Sequence, residues 1–411
     1  MTIKRERLHY GWVMVLIALS VLATHALVMY TFGVFLKPLV TEFNWDRGAL
    51  SGANSMYMLL AGPFAIFAGR LSDKYGPRML VTLNGLLTGI GFLALSQINS
   101  LWQVYLIWGL FLGIGGSCCF IPVMSTIPRW FVKKTGIAIG ITVAGFGLGA
   151  VITPPLTQWL ISAYGWRQAF IVLGLITFVI VIPLAQFMKH SPQRVGLKPY
   201  GEIGTLKDKQ SQAAGGLSFR QAIKTSRFLV WGSIICCFFF SVQVIVVHIV
   251  PHGIDIGISA TVAAGILSII AGGSVIGRLS MGFIYDRIGS RKALSACLTL
   301  VALALIWLLF AKEIWGLYIF AGVLGLAYGG IVLLETALTG ELFGLKSLGM
   351  ILGGVILFGT VGGALGAPLA GSIFDATGSY SLALLICVIL VVLAIILSLI
   401  LLKTKGWRST N

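Results

Sequence analysis

The chain has 411 residues, 58% of them hydrophobic and only 10% charged, with 29 Lys and Arg against 12 Asp and Glu and a mean hydropathy of +0.99. Soluble domains carry about 25% charged residues, so a water-soluble enzyme or binding module is excluded and a membrane is the natural solvent. The net charge of +17 would suit nucleic acid in a soluble protein, but the placement of the charges gives it another cause.

A spanning helix needs about 20 mostly apolar residues. The first such run, 10–36, follows Lys4, Arg5 and Arg7; it is too long for a cleaved leader and is expected to remain as a span. Further runs lie at 48–69, 79–98, 101–127, 136–163 and 167–188. A polar stretch rich in Lys, Gln, Gly and Ser separates them from runs at 226–250, 260–284, 292–311, 314–340, 347–374 and 380–402. The expected fold is an all-α polytopic membrane protein of twelve transmembrane helices in two six-helix bundles, 1–190 and 226–411, with a cytoplasmic linker at 191–225. Threaded with the N-terminus inside, the runs leave only Lys37, Arg47, Arg167 and Lys312 outside and Arg278 within a span. All other basic residues fall inside. This obeys the positive-inside rule, explains the net charge without nucleic acid, and puts both termini on the cytoplasmic side of the cell (inner) membrane.

The six cysteines (Cys118, Cys119, Cys236, Cys237, Cys297 and Cys387) all lie in apolar runs. Neighbours on a helix point about 100° apart and make poor joint ligands, so these are read as packing residues, and no metal or other cofactor is expected. Without a nucleophile elbow, P-loop or metal constellation, an enzyme is not expected.

The two sets of six are copies. Gly69-Arg70-Leu71-Ser72-Asp73-Lys74-Tyr75-Gly76-Pro77-Arg78 recurs as Gly282-Phe283-Ile284-Tyr285-Asp286-Arg287-Ile288-Gly289-Ser290-Arg291, with Gly, Asp, Gly and Arg in register. Pro155-Leu156 with Gly165 likewise recurs as Pro368-Leu369 with Gly378, at the same offset of 213 residues. Gly69 and Gly282 permit close helix approach. Asp73 and Asp286 can accept hydrogen bonds from helix ends, and Arg78 and Arg291 add charge-assisted contacts, so Gly69, Asp73, Gly76, Arg78, Gly282, Asp286, Gly289 and Arg291 form a candidate conformational gate. The paired G-x(3)-D-x(2)-G-x-R loops resemble the signature of the major facilitator superfamily. The resemblance implies two pseudo-symmetric bundles that rock about a midplane site.

Trp130-Phe131-Val132-Lys133-Lys134 opens the fifth run, with small residues at Ala138, Gly140, Ala144 and Gly145. This is similar to the fifth-span signature of the monocarboxylate transporters, with Thr142 where that family usually has Ala. The first-span signature is present only in part, as Gly11-Trp12, and Phe32-Gly33-Val34-Phe35-Leu36-Lys37 is also family-like. The resemblance lies nearest the bacterial branch of lactate carriers and oxalate/formate exchangers.

Arg278 carries the main site expectation. A charge in mid-span costs roughly 2.5–3.5 kcal/mol, although snorkelling over the seven residues (~10 Å) to the inner end offers a plain alternative. The resemblance implies that Arg278 holds the substrate carboxylate, which its guanidinium fork suits. Mammalian members place an aspartate four residues earlier, where this chain has Ser274. Proton-coupling candidates are therefore Asp255, the preferred one, with Glu335, His25 and His248. Tyr328, Tyr30, Asn54, Tyr57, Gln243 and Phe358 are weaker cavity candidates, each open to a plain packing role; Tyr328, flanked by Gly325 and Gly329-Gly330, leads them.

The expected function is proton symport of a small monocarboxylate such as L-lactate or pyruvate, by alternating access and as a monomer. Anion and proton cross together as a neutral pair, which removes the work against the membrane potential. Alternatives are an oxalate/formate-type anion exchanger and, from a different class, a membrane nutrient sensor that does not transport.

Overall fold

The computed structural model describes residues 9–132, 134–201, 216–344 and 347–403, and, inside helices, leaves aside the side chains of 65, 66, 69, 70, 73, 135, 136, 282, 283, 285, 286, 291, 348, 402 and 403. The long apolar runs become helices because a spanning segment must satisfy its backbone internally. They are α1 (Tyr10–Phe43), α2 (Arg47–Tyr75), α3 (Pro77–Leu95), α4 (Leu101–Trp130), α5 (Thr135–Tyr164), α6 (Trp166–Phe187), α7 (Ser226–Asp255), α8 (Ala260–Ile288), α9 (Ser290–Phe310), α10 (Ile314–Phe343), α11 (Leu348–Thr377) and α12 (Ser381–Lys403).

Eleven of these are long and apolar enough to cross a membrane. The exception among the described residues is α2, the most polar of the set, whose first half carries Ser51, Asn54 and Ser55. Large apolar side chains remain exposed along the helices, Phe310 and Leu279 among them, as expected where lipid is the solvent. The α4 segment is irregular. It contains a π-helical stretch at Tyr105–Leu112, breaks at Cys118 and Cys119, and ends in a 3-10 turn containing Pro128. The six cysteines are free thiols, five of them buried, as packing residues should be.

The chain forms two compact units. One comprises Met1–Phe32 and Leu59–Thr205, the other Gly33–Met58 and Leu206–Asn411. Hydropathy groups residues 33–58 with the first six runs, yet they pack in the second unit. In the first unit α3 packs along α6 and α4, and α5 on α6. In the second, α7 packs on α11 and α12, α8 on α10, and α9 on α10 and α12.

The repeat extends to helix packing. In the first unit, a Cβ on Gly149 of α5 would strike the Ala23 carbonyl of α1; in the second, a Cβ on Gly362 of α11 would strike that of Cys236 of α7. Both members of the second pair lie 213 residues after those of the first. One turn away the roles exchange: Gly145 meets the Leu19 backbone, whereas its counterpart Phe358 packs its ring on Gly232. Close approach here rests on whichever helix lacks a side chain.

The turns repeat as well. Gly76 between α2 and α3 has φ 89° and ψ 169°, and Gly289 between α8 and α9 has φ 80° and ψ 156°. An L-residue with a side chain would be strained at either. Of the other gate candidates, Arg78 donates from Nε to Gln186 Oε1 at 2.9 Å. Gly69, Asp73, Gly282, Asp286 and Arg291 lie outside the described side chains.

Candidate functional site

The family-like signatures in the first unit are structural neighbours. Trp12 meets Phe131 edge-on at 5.0 Å, both rings pack on Tyr200, and a Cβ on Gly11 would crowd the Phe131 ring at 3.1 Å. Lys134 takes φ 63° immediately before α5, while Lys133 lies outside the described residues. Gly145 and Gly149 then set the α5 crossing with α1 described above. His25 and Tyr30 belong to the same unit, both buried, with their rings 6.2 and 5.9 Å from that of Phe146. The His25 Nδ1 atom is buried without a hydrogen-bond partner.

The remaining predicted residues fall in the second unit, in two groups. The first lies where α8 crosses α10. A Cβ on Gly325 would strike the Ile270 carbonyl, and one on Gly329 that of Ser274. Both pairs differ by 55 residues, while Gly273 with Gly322 and Gly277 with Leu326 differ by 49, so the helices run parallel at a mean offset of 52 and Arg278 is level with about residue 330. Glu335 therefore stands about one and a half turns beyond Arg278 along this crossing. Arg278 is half-buried and Glu335 is buried. Arg278 Nε and Glu335 Oε1 are each buried with no hydrogen-bond partner among the described residues. Ser274, one turn before Arg278, spends its hydroxyl on the Ala271 carbonyl and brings no charge to the crossing.

The α10 turn below Glu335 is tied to α7: Thr339 donates to the Glu335 carbonyl and accepts from Trp231 Nε1 at 3.0 Å. Tyr328, half-buried on the same helix, stands 6.0 Å from the Phe238 ring. Asn54 is buried with Nδ2 unpartnered, and Tyr57 is buried beside it on α2. Gln243 and Met58 flank Gly363. Phe358 fills the α7–α11 crossing against Gly232 and Phe228.

The second group was visible in the sequence only as scattered charges. It gathers the end of α1, the start of α2, the ends of α7 and α11, and the turn before α12. Asp255 accepts from Lys37 Nζ at 2.7 Å and from Arg47 Nη1 at 2.6 Å and Nη2 at 3.2 Å. Arg47 Nη1 also donates to Tyr380 Oη at 2.8 Å, and the guanidinium stacks 3.8 Å over the Phe374 ring. Asp375 caps the start of α2, accepting from the backbone N–H groups of Arg47 and Gly48 at 3.0 and 2.8 Å.

Tyr380 and His248 extend this network inward. His248 Nε2 lies 2.7 Å from the Ala367 carbonyl and Nδ1 lies 3.0 Å from Tyr380 Oη. A carbonyl only accepts, so Nε2 carries the proton and Nδ1 accepts from the tyrosine. Burial pushes the Tyr380 phenol up, so it keeps its proton for that bond. The chain of donation runs Arg47, Tyr380, His248, Ala367. Sequence reasoning singled out Asp255 and His248 but missed Arg47, Asp375 and Tyr380. The available signal was that few charges lie on the outer segments, and that two acids end α7 and α11.

Comparison with known proteins gives a consistent result. The model of the Major Facilitator Superfamily matches residues 18–289 and 254–410. Monocarboxylate transporter 13 of Bos taurus is 28% identical over 374 residues, covering 90% of this chain and 84% of that protein. The MFS-type transporter opdF of Penicillium oxalicum is 30% identical over 339 residues, covering 81% and 74%. Among solved structures, a bacterial homologue of the human lysosomal transporter Spinster superposes with a TM-score of 0.74 at 15% identity, over 95% of this chain and 96% of that one. The last likeness is one of fold.

Proposed function

Since this chain is a multi-pass membrane protein belonging to the major facilitator superfamily, in its monocarboxylate transporter family, we propose that it is a proton-coupled symporter of small monocarboxylates such as L-lactate or pyruvate, working by alternating access. One observation carries the reading: Arg278 lies within a span with a buried Nε that no group among the described residues accepts from. A carboxylate meeting a guanidinium forms charge-assisted, fork-shaped hydrogen bonds, and it would satisfy this donor. Glu335 supplies the complementary oxygen on the neighbouring helix. Arg278 Nε and Glu335 Oε1 find no partner among the described residues, a costly arrangement for buried polar atoms that binding and proton transfer would relieve. Asp255 already accepts from two cations, so we assign the proton to Glu335 in preference to it. Anion and proton would then be released together on the cytoplasmic side of the inner membrane, the side that the positive-inside bias of the basic residues favours for both termini.

One feature favours a second reading, an oxalate/formate-type exchanger. Ser274 leaves α8 without a carboxylate near Arg278. Uptake of labelled L-lactate into proteoliposomes separates the two. Under symport, an inward proton gradient drives uptake, and a protonophore abolishes it. Under exchange, internal substrate drives uptake and the gradient is without effect. Uptake that survives Arg278→Ala unchanged would remove the proposed anchor.

A further inference from the structure

The start of α3 carries a feature unconnected with the Arg278 crossing. A groove of about 400 Å3 is lined by Tyr75, Arg78, Met79, Thr82, Leu83 and Leu86. Its composition changes along its length. At one end sits Arg78, exposed and held by its Nε to Gln186; Lys74 lies outside the lining but adjoins it, its ammonium 5.0 Å over the ring of Tyr75, which lines the groove. Gln186 also donates to the Thr82 hydroxyl at 3.1 Å, which fixes the polar end from α6. Beyond it the wall is apolar. Met79, Leu83 and Leu86 share one face of α3, and the exposed Ile90 continues that face.

From Met79 to Ile90 the helix rises about 16 Å, close to half of the roughly 30 Å hydrocarbon core. The groove, with the Ile90 face that continues it, is therefore basic where a headgroup sits and apolar over about the depth of one leaflet. Its basic end lies at the α2–α3 turn, the side where the positive-inside rule puts the cytoplasm. The orientation of the Arg78 fork has a cause too. With Nε engaged by Gln186, the terminal nitrogens are directed away from that bond and suit a phosphate.

We propose that this groove is a binding site for an acidic diacyl phospholipid of the cytoplasmic leaflet, with the phosphate at Arg78 and Lys74 and one acyl chain along Met79, Leu83 and Leu86. A zwitterionic lipid satisfies the apolar wall but brings no net charge to the basic end. Two basic groups at a membrane surface predict about a tenfold or greater preference for the acidic lipid.

The test uses the full-length chain in neutral detergent, titrated with phosphatidylglycerol or phosphatidylcholine and read by native mass spectrometry and thermal unfolding. Phosphatidylglycerol should bind at least about tenfold more tightly and raise the unfolding temperature further. Lys74→Gln with Arg78→Gln should remove the preference. Met79→Trp, which fills the apolar wall and leaves both cations in place, should lower retention of either lipid. Because each readout compares two lipids on one variant, loss of transport or modest destabilisation does not confound it. Equal binding of both lipids by the wild type, or a preference that persists in the double variant, overturns the proposal. Inorganic phosphate reproducing the full shift also overturns it, since the acyl channel would then contribute nothing.

Discussion

Arg47 and Arg278 both belong to the second unit, and their surroundings treat them in opposite ways. Arg47 has a bidentate carboxylate, a tyrosine hydroxyl, an aromatic face beneath it and a capped backbone N–H. Arg278 is half-buried on α8 with a Nε that nothing among the described residues accepts from. A buried ion is expensive to strip of water, and only full pairing makes it a stable part of a fold. Where every partner is supplied, the charge serves the architecture. Where one is missing, a ligand can supply it. The two arginines thus separate a charge that holds helices together from one that, on the proposed function, waits for a substrate.

The largest expected effect falls on the unsatisfied side. Arg278→Ala should lower proton-driven lactate uptake by about a hundredfold, the loss of ~3 kcal/mol of charged hydrogen bonding, with little change in thermal stability. A stability loss matching that of an Arg47 variant would erase the contrast. Glu335→Gln should abolish gradient-driven accumulation while leaving exchange of labelled for unlabelled lactate measurable. If accumulation survives, the proton rides elsewhere.

The paired side should answer in stability. Asp255→Asn leaves Arg47 and Lys37 facing a neutral amide, and should cost about 2 kcal/mol, between the values for exposed and buried pairs. Thermal unfolding in detergent measures this, and Arg47→Ala should show no large further loss once Asp255 is changed. Lys in place of Arg sharpens the comparison. Arg47→Lys keeps a charge beside Asp255 and should cost about 1 kcal/mol of stability, whereas Arg278→Lys loses the fork and should raise the half-saturating lactate concentration. The smallest effect is expected from Tyr328→Phe, an uptake change of about threefold or less, since ring packing on Phe238 persists.

Much of the fold was legible because hydropathy and repetition are local or strictly periodic signals. The shared offset of the two loops appears again in backbone form at Gly76 and Gly289, and in helix packing at Gly149 and Gly362. Arg278 was legible for the same reason, as a charge in an apolar run. The Asp255 network was not. Arg47 and Asp375 lie 328 residues apart, and nothing in a single sequence says which outer charges meet. Phe358 shows the opposite difficulty. An aromatic on α11 suggests a cavity wall, but its repeat relation to Gly145 marks it as the bulky member of a helix crossing whose glycine sits on α7. The polar character of Asn54 and Ser51 was readable, while their place in the second unit depended on contacts made only after folding.

That placement of residues 33–58 bears on how the gene can be divided. A cut in the polar stretch at 191–225 looks clean from hydropathy, yet it parts residues 33–58 from the rest of the second unit, so the second fragment lacks a piece of its own packing unit. The first would carry Lys37, Arg47 and Gly33 without Asp255, Asp375 or the Val246–Val247 backbone they rest on. The second would expose the reciprocal surface. Co-expressed fragments should therefore depend on each other for survival in the cell, and recovery of one by affinity capture of the other would report this shared segment directly.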